Sequence, residues 1–329
     1  MTGREIRLQR LCRRHLPDGG GSGFTLLSTG PAAFLTLHGL TVAAERTLDV
    51  QYYLWEDDGS GRRLLTALID AADRGVRVRL LLDDIGAPSS DPELARLDAY
   101  PNVEIRLYNP FPHRFGLVFA LLFQSRRVTR RMHNKAFVAD RMAAVVGGRN
   151  VGDRYFEFDP RRNFRDLDLF AAGPVVEQVA QSFDAFWDSS WSRPVGAIDR
   201  GRWRLADVRS TVRRGLRRRI LRAGPGPYPG NVGLQWRSYR SLVRDRFARL
   251  VVAERATVLV DSEELAAQVA AFIEDGMSPA RSYRAVLDNG RLAWLVGEDP
   301  QPTRREPGAS RWWLLLVRLL ALLPIERQV

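Results

Sequence analysis

His133, Lys135 and Asn150 are the residues whose types and spacing could do chemistry in this sequence. The segment reads His133-Asn-Lys135-Ala-Phe-Val-Ala-Asp140, then six residues, then Gly147-Gly148-Arg149-Asn150. On a strand, residues two apart share a face, so His133 and Lys135 are expected to project into one site. A turn near Asp140 would return the chain through residues 143–146. Gly147 and Gly148 lack a Cβ and would let backbone approach a ligand closely. Asn150, at a strand end, could hydrogen-bond an oxyanion.

Such a set suits phosphodiester chemistry. A neutral imidazole can attack phosphorus and divide one hard step into two. An ammonium and a carboxamide can hold the non-bridging oxygens as charge builds. This chemistry calls for no metal and no other cofactor. The histidine wants a carboxylate to fix its tautomer. Asp166 and Asp168 on the next strand are the candidates, while Asp140 is expected to be structural and to brace the turn. Lys135 is also the only lysine among the 50 Lys and Arg residues. Codon bias toward arginine accounts for the others. A position that stays lysine under that pressure is a candidate for needing a compact ammonium and not a planar fork.

These residues need elements to position them. Residues 31–46 have a helical rhythm, and residues 48–55 alternate and are rich in aromatics, which predicts a strand. Residues 62–74 carry Leu64, Leu65, Leu68, Ile69 and Ala72 at helical spacing, and 76–82 is a strongly apolar strand. This βαβ unit predicts a parallel strand pair. A helix over 92–99 and a strand over 103–107 follow. Strands are expected over 132–139, 143–146 and 167–172, with a helix over 175–189. Residues 202–222 form an amphipathic pattern in which Leu205, Val208, Val212, Leu216 and Ile220 make one stripe among nine arginines. Two readings of that basic face stand: it is solvated, or it binds anionic lipid. A Pro/Gly-rich linker over 223–230, a strand over 256–260, a helix over 263–274 and a hairpin across Asp288-Asn289-Gly290 complete the pattern.

Apolar residues make up 45% of 329, enough for a sizeable core. The formal net charge of +12 favours polyanionic partners, nucleic acid or an anionic membrane surface. The single cysteine, Cys12, excludes an internal disulfide and a multi-cysteine metal site. An arginine-rich start with no apolar run behind it argues against a secretory signal. The apolar stretches 115–123 and 312–323 are too short to span a bilayer. A cytoplasmic protein, peripheral to the inner face of a membrane, is expected.

The spacing His-x-Lys-x4-Asp-x6-Gly-Gly-x-Asn, matched at every defined position over residues 133–150, resembles the signature of the phospholipase D superfamily. The flanks are similar to its cardiolipin synthase branch: Val50-Gln-Tyr-Tyr-Leu-Trp55, the run from Asp73 to Asp83, Asn109-Pro-Phe111, and Gly148-Arg-Asn-Val-Gly-Asp-Arg-Tyr-Phe156. Residues 273–280 and 323–326 resemble the end of such proteins. The resemblance implies an α/β fold with a mixed sheet flanked by helices. It implies His133 as nucleophile, Lys135 and Asn150 as phosphate clamp, and Asp166 as the carboxylate behind His133.

The family normally carries two such motifs, one per lobe. With one lysine, no second His-x-Lys exists here, and His15, His38 and His113 sit in unrelated contexts. The expected organisation is a flexible basic segment (1–23), a catalytic lobe (24–195), an Arg-rich helix and linker (196–255), and a remnant of a second lobe with its tail (256–329). Two copies could complete a site as a homodimer, or the half-site could be an inactive, membrane-bound remnant. The resemblance implies phosphatidyltransferase or phospholipase chemistry on an anionic glycerophospholipid. A nucleic-acid phosphodiesterase is the alternative; the apolar stretches rank nucleic acid behind lipid as partner.

Overall fold

In the computed structural model the described residues are 5–16, 21–87, 91–110, 130–198, 205–223, 243–253, 263–276, 283–288, 291–296 and 303. Two compact units divide at Leu265/Ala266.

The first unit begins with helix α1 (Arg7–His15) and strand β1 (Ser22–Leu27). The expectation of a flexible segment over 1–23 does not hold for α1. Leu8, Leu11, Cys12 and Leu16 recur at helical spacing among the arginines, and this stripe packs on the core with Leu8 fully buried. Helix α2 (Gly30–Ala43) follows, with Thr29 as its N-cap, and then strand β2 (Thr47–Tyr52). Helix α3 (Gly59–Asp73) starts where the Asp58 carboxylate accepts the Gly61 amide at 3.0 Å. Strand β3 (Arg77–Asp83), helix α4 (Asp91–Asp98) and strand β4 (Val103–Tyr108) come next. Strands β5 (Ala136–Ala139), β6 (Ala143–Gly147) and β7 (Asp168–Ala172) lead to helix α5 (Val175–Trp187). Strand β8 (Ser192–Pro194), short helix α6 (Val195–Ile198), the Arg-rich helix α7 (Leu205–Ala223) and strand β9 (Val251–Ala253) complete the sheet and its cover.

Nine strands form one mixed sheet in the order β8-β4-β3-β2-β5-β6-β7-β1-β9. β2, β3 and β4 run parallel, as the βαβ pattern predicts, with Thr47 opposite Arg77 and Tyr52 opposite Leu82. The remaining neighbours pair antiparallel. Both faces are covered, so the strands alternate between two apolar layers. Phe137, Ala139, Val145 and Phe170 join the layer under α2, α3 and α7. Val138, Ala144 and Ala171 join the layer that includes Val176 and Ala180 of α5. Arg79 is nearly buried on β3, and such a charge must be paired. Its Nε donates to Asp49 on β2 at 2.6 Å and its Nη2 to Asp184 of α5 at 2.8 Å. The guanidinium also lies 4.8 Å from the Phe183 ring centroid.

The strand expected over 132–139 is shorter than the alternation suggests. Only Ala136–Ala139 is strand, because the Met132 amide donates to the Asp83 carboxylate at 2.9 Å and not to a neighbouring strand. Helix α8 (Glu263–Gly276) follows β9 in the chain. In the second unit, strands β10 (Tyr283–Asp288) and β11 (Arg291–Val296) form the expected antiparallel hairpin, with Asp288 opposite Arg291. The features expected over 115–123, 256–260 and 312–323, His113, and the expected linker from residue 224 to 230 lie outside the described residues; Ala223, its first residue, ends α7. Among the described residues no helix is long and apolar enough to cross a membrane.

Candidate functional site

The three parallel strands end side by side, and their last residues build the floor of the site. Asp83 closes β3 and is fully buried. It accepts from the amides of Ile85 (3.0 Å) and Met132 (2.9 Å) and from the Arg131 guanidinium (3.1 Å). Burial raises its carboxyl above the usual range, and the Met132 amide and Arg131 pull it back. Asn109, just past β4, donates from Nδ2 to the Arg130 carbonyl at 2.8 Å. Its φ of 48° is one an asparagine tolerates. Gln51 Nε2 lies 3.0 Å from Met132 Sδ. Residues 130–132 are therefore tied to the ends of all three strands, directly before His133.

Tyr53, just past β2, meets both motif side chains. Its ring centroid is 4.9 Å from that of the exposed His133 imidazole, tilted by 57°. Lys135 Nζ stands 5.5 Å from the same ring, within cation–π range. The ammonium also donates to the His133 carbonyl at 2.7 Å. Lys135 is 7% exposed. Burial lowers its pKa, and the charges of Asp166 and Asp168 oppose that fall. Burial and the Asp83 carboxylate raise the Tyr53 phenol, so the ring beside His133 and Lys135 stays neutral.

Asn150 arrives from the other side. The backbone pairs Val151 N with Leu54 O (3.1 Å) and Glu56 N with Val151 O (2.8 Å). Asn150 Oδ1 accepts the Leu54 amide at 3.0 Å, which fixes its carboxamide with Nδ2 as the donor still to be used. His133, Lys135 and Asn150 thus converge on the dipeptide Tyr53-Leu54.

The motif glycines also have a packing reason. A Cβ on Gly148 would lie 1.9 Å from Asp166 Oδ1, and one on Gly147 would lie 2.1 Å from Asp168 Oδ1. They make room for carboxylates of the next segment. Asp168 is taken by Arg149, which is 2% exposed. Its carboxylate accepts the Arg149 amide at 3.2 Å and pairs with the guanidinium at 3.3 Å. Arg149 also donates to the carbonyls of Leu27 and Ser28 at 2.9 and 3.1 Å. Burial pushes the Asp168 carboxyl up to about 6, against the pull of Arg149. Asp166 is less buried and bonds the Leu167 amide at 2.9 Å, not the His133 imidazole. Asp140 accepts three amides, those of Glu45, Arg46 and Thr47, at 2.9, 2.7 and 2.9 Å. With Asp140 and Arg141 both left-handed, at φ 53° and 55°, the chain reverses tightly between β5 and β6.

Tyr53, Asp83, Asn109 and Arg149 stand in the flanks that carry the resemblance, but their spacing alone assigns them no individual role at the site. One signal could have found the first three: polar residues at the carboxyl ends of parallel strands, where open α/β sheets bind ligands. Among the described residues no three His, Cys, Asp or Glu side chains cluster as metal ligands would.

Residues 40–187 match the family model described as cardiolipin synthase, PLD-like domain. Cardiolipin synthase C of Escherichia coli (strain K12) is 48% identical over 177 residues, which are 54% of this chain and 37% of that protein. Cardiolipin synthase B of the same strain is 29% identical over 161 residues, 49% of this chain and 37% of that protein. The aligned part thus spans little more than a third of these relatives. Among solved structures, phosphatidylserine synthase from Haemophilus influenzae aligns with 68% of this chain and 50% of its own, at a TM-score of 0.43 and 16% identity.

Proposed function

We propose that this chain, whose residues 40–187 form a phospholipase D-like domain, breaks and re-forms phosphodiester bonds of an anionic glycerophospholipid. The observation that supports it best is the convergence of His133, Lys135 and Asn150 on Tyr53-Leu54. In this reading a His133 ring nitrogen attacks phosphorus, the phosphorus–oxygen bond to the leaving alcohol breaks, and a phosphohistidine forms. Water or an alcohol then attacks phosphorus and frees the imidazole. Lys135 and Asn150 Nδ2 hold the non-bridging oxygens. Asp166 balances the Lys135 charge and is the carboxylate available to orient His133 once a phosphoryl group occupies Lys135.

The leaving alcohol needs a proton, and the acceptor must lose one, which calls for a second acid–base group. This sequence holds one His-x-Lys, and in this reading a second copy of the chain supplies the other in a C2 pair. The first test is turnover of phosphatidylglycerol vesicles by the purified chain, with mass read by light scattering. Turnover by a dimer, abolished in His133→Ala, is the expected result. Lys135→Arg should be almost as inactive, because a planar fork cannot replace an ammonium held 2.7 Å from the His133 carbonyl. A folded protein that cleaves oligonucleotides and leaves the lipid intact would overturn the substrate assignment. A folded monomer with no turnover of either would overturn the enzyme reading.

A further inference from the structure

We propose that the outward face of α7 docks the protein on an anionic membrane surface. α7 divides its arginines between two sides. Val208, Val212 and Leu216 are buried in the core against α3 and α4. On the flank of that face, Arg213 pairs with Asp70 (3.0 Å) and Asp73, and Arg219 pairs with Asp57 (3.4 Å) and Glu93. These cations are consumed by the fold.

Arg214, Arg217, Arg218 and Leu221 stand at i, i+3, i+4 and i+7, which is one stripe of the helix. At 100° per residue it lies opposite the Val208-Val212-Leu216 stripe. All three arginines are exposed. Arg214 donates to Ser210 Oγ at 3.0 Å, and among the described residues no carboxylate pairs with any of the three. The acid on the same side, Asp207, is two turns away. Leu221, at 71% exposure, is the most exposed large apolar side chain described. A row of exposed arginines with no carboxylate partner among the described residues, ending in an exposed leucine, fits a lipid surface, where the cations meet headgroups and the leucine enters the acyl boundary. A nucleic-acid backbone would use the charge and leave the leucine in water. α7 lies outside residues 40–187, the part that matches the family model.

The test is co-sedimentation of the full chain with vesicles of phosphatidylcholine, with and without phosphatidylglycerol. Each surface charge is worth about 1 kcal/mol on an anionic leaflet, so losing three weakens binding roughly a hundredfold, and reversing them is expected to weaken it by at least that. Arg214→Glu/Arg217→Glu/Arg218→Glu should show that loss, and Leu221→Ser a smaller one. Arg10→Glu/Arg13→Glu/Arg14→Glu on α1 makes the same change of charge elsewhere and should retain most binding. Equal losses in the two triple variants would mean that diffuse charge and not α7 drives binding. Vesicle binding kept while oligonucleotide binding is lost would make α7 a nucleic-acid surface, and a parent chain that ignores phosphatidylglycerol would end the proposal. If the reversals fail to fold, Arg217→Gln/Arg218→Gln gives the same comparison. His133→Ala must bind vesicles as the parent does, so failure of the catalytic reading leaves this one standing.

Discussion

Tyr53 serves two motif residues with one ring, 4.9 Å from the His133 ring and 5.5 Å from Lys135 Nζ. The exposed imidazole has no hydrogen bond holding it among the described residues, so this ring is its lateral support. Tyr53→Phe keeps the ring and should keep turnover of phosphatidylglycerol near the parent's. Tyr53→Leu removes it and should lower kcat on the order of a hundredfold, the scale set by a misplacement of about 1 Å. A direct readout exists beside activity. The His133 ring protons should carry an aromatic ring-current shift in proton NMR spectra of the parent and of Tyr53→Phe. The same shift in Tyr53→Leu would show that the ring is not the support. The three candidate residues were legible in the sequence because the proposed chemistry calls for their types and the motif sets their spacing. Tyr53 was not: an aromatic next to a strand reads as core until a tertiary contact places it beside His133.

At the scale of elements, the β5–β6 reversal carries the motif and is held by Asp140. This nearly buried carboxylate gathers three consecutive amides from the α2–β2 junction, and so fastens the motif hairpin to the strand that delivers Tyr53. Asp140→Ala leaves three amides without their acceptor and should destabilise the protein by about 3 kcal/mol, the range for losing charge-assisted hydrogen bonds. Urea unfolding measures it; a change under about 0.5 kcal/mol, typical of surface substitutions, would show that water replaces the carboxylate freely. Element boundaries were the least legible part. The alternation over 132–139 reads as one strand, and a competing acceptor, Asp83, shortens it from outside. α1 was hidden for the opposite reason: its apolar stripe is diluted by arginines, and only the core it covers gives the stripe meaning.

At the scale of the whole molecule, a half-buried carboxyl and a buried one set a pH dependence. Asp58, the cap of α3, is pushed up to about 7 by burial, helped by Asp153 and Glu56 and opposed by the amides of Gly61 and Asp153. Asp168 is pushed up to about 6. A raised carboxyl binds its proton more tightly in the folded state. Its contribution to stability is complete below the ordinary value near 4 and is lost as pH rises through the folded value. The melting temperature should therefore carry a component that falls between about pH 4 and about pH 7. Asp58→Asn should remove its share and flatten the curve. It adds a constant offset, because one carboxamide cannot accept from both the Gly61 and Asp153 amides. A variant as steep as the parent over that range would contradict the assignment.

The sequence by itself determined the βαβ unit, the apolar strands, the hairpin over 283–296 and the trio His133, Lys135 and Asn150. Periodicity fixes which face of an element is apolar, and the motif fixes the types and spacing of the candidate trio. The tertiary structure decided what those residues lean on. It brought the ends of β2, β3 and β4 to the segment before His133, assigned Asp168 to Arg149, and gave Gly147 and Gly148 their purpose under two carboxylates. It also divided the arginines of α7 into those bound to α3 and α4 and those turned outward. Each of these joins residues far apart in the chain, and one-dimensional spacing carries no record of which distant partner closes the distance.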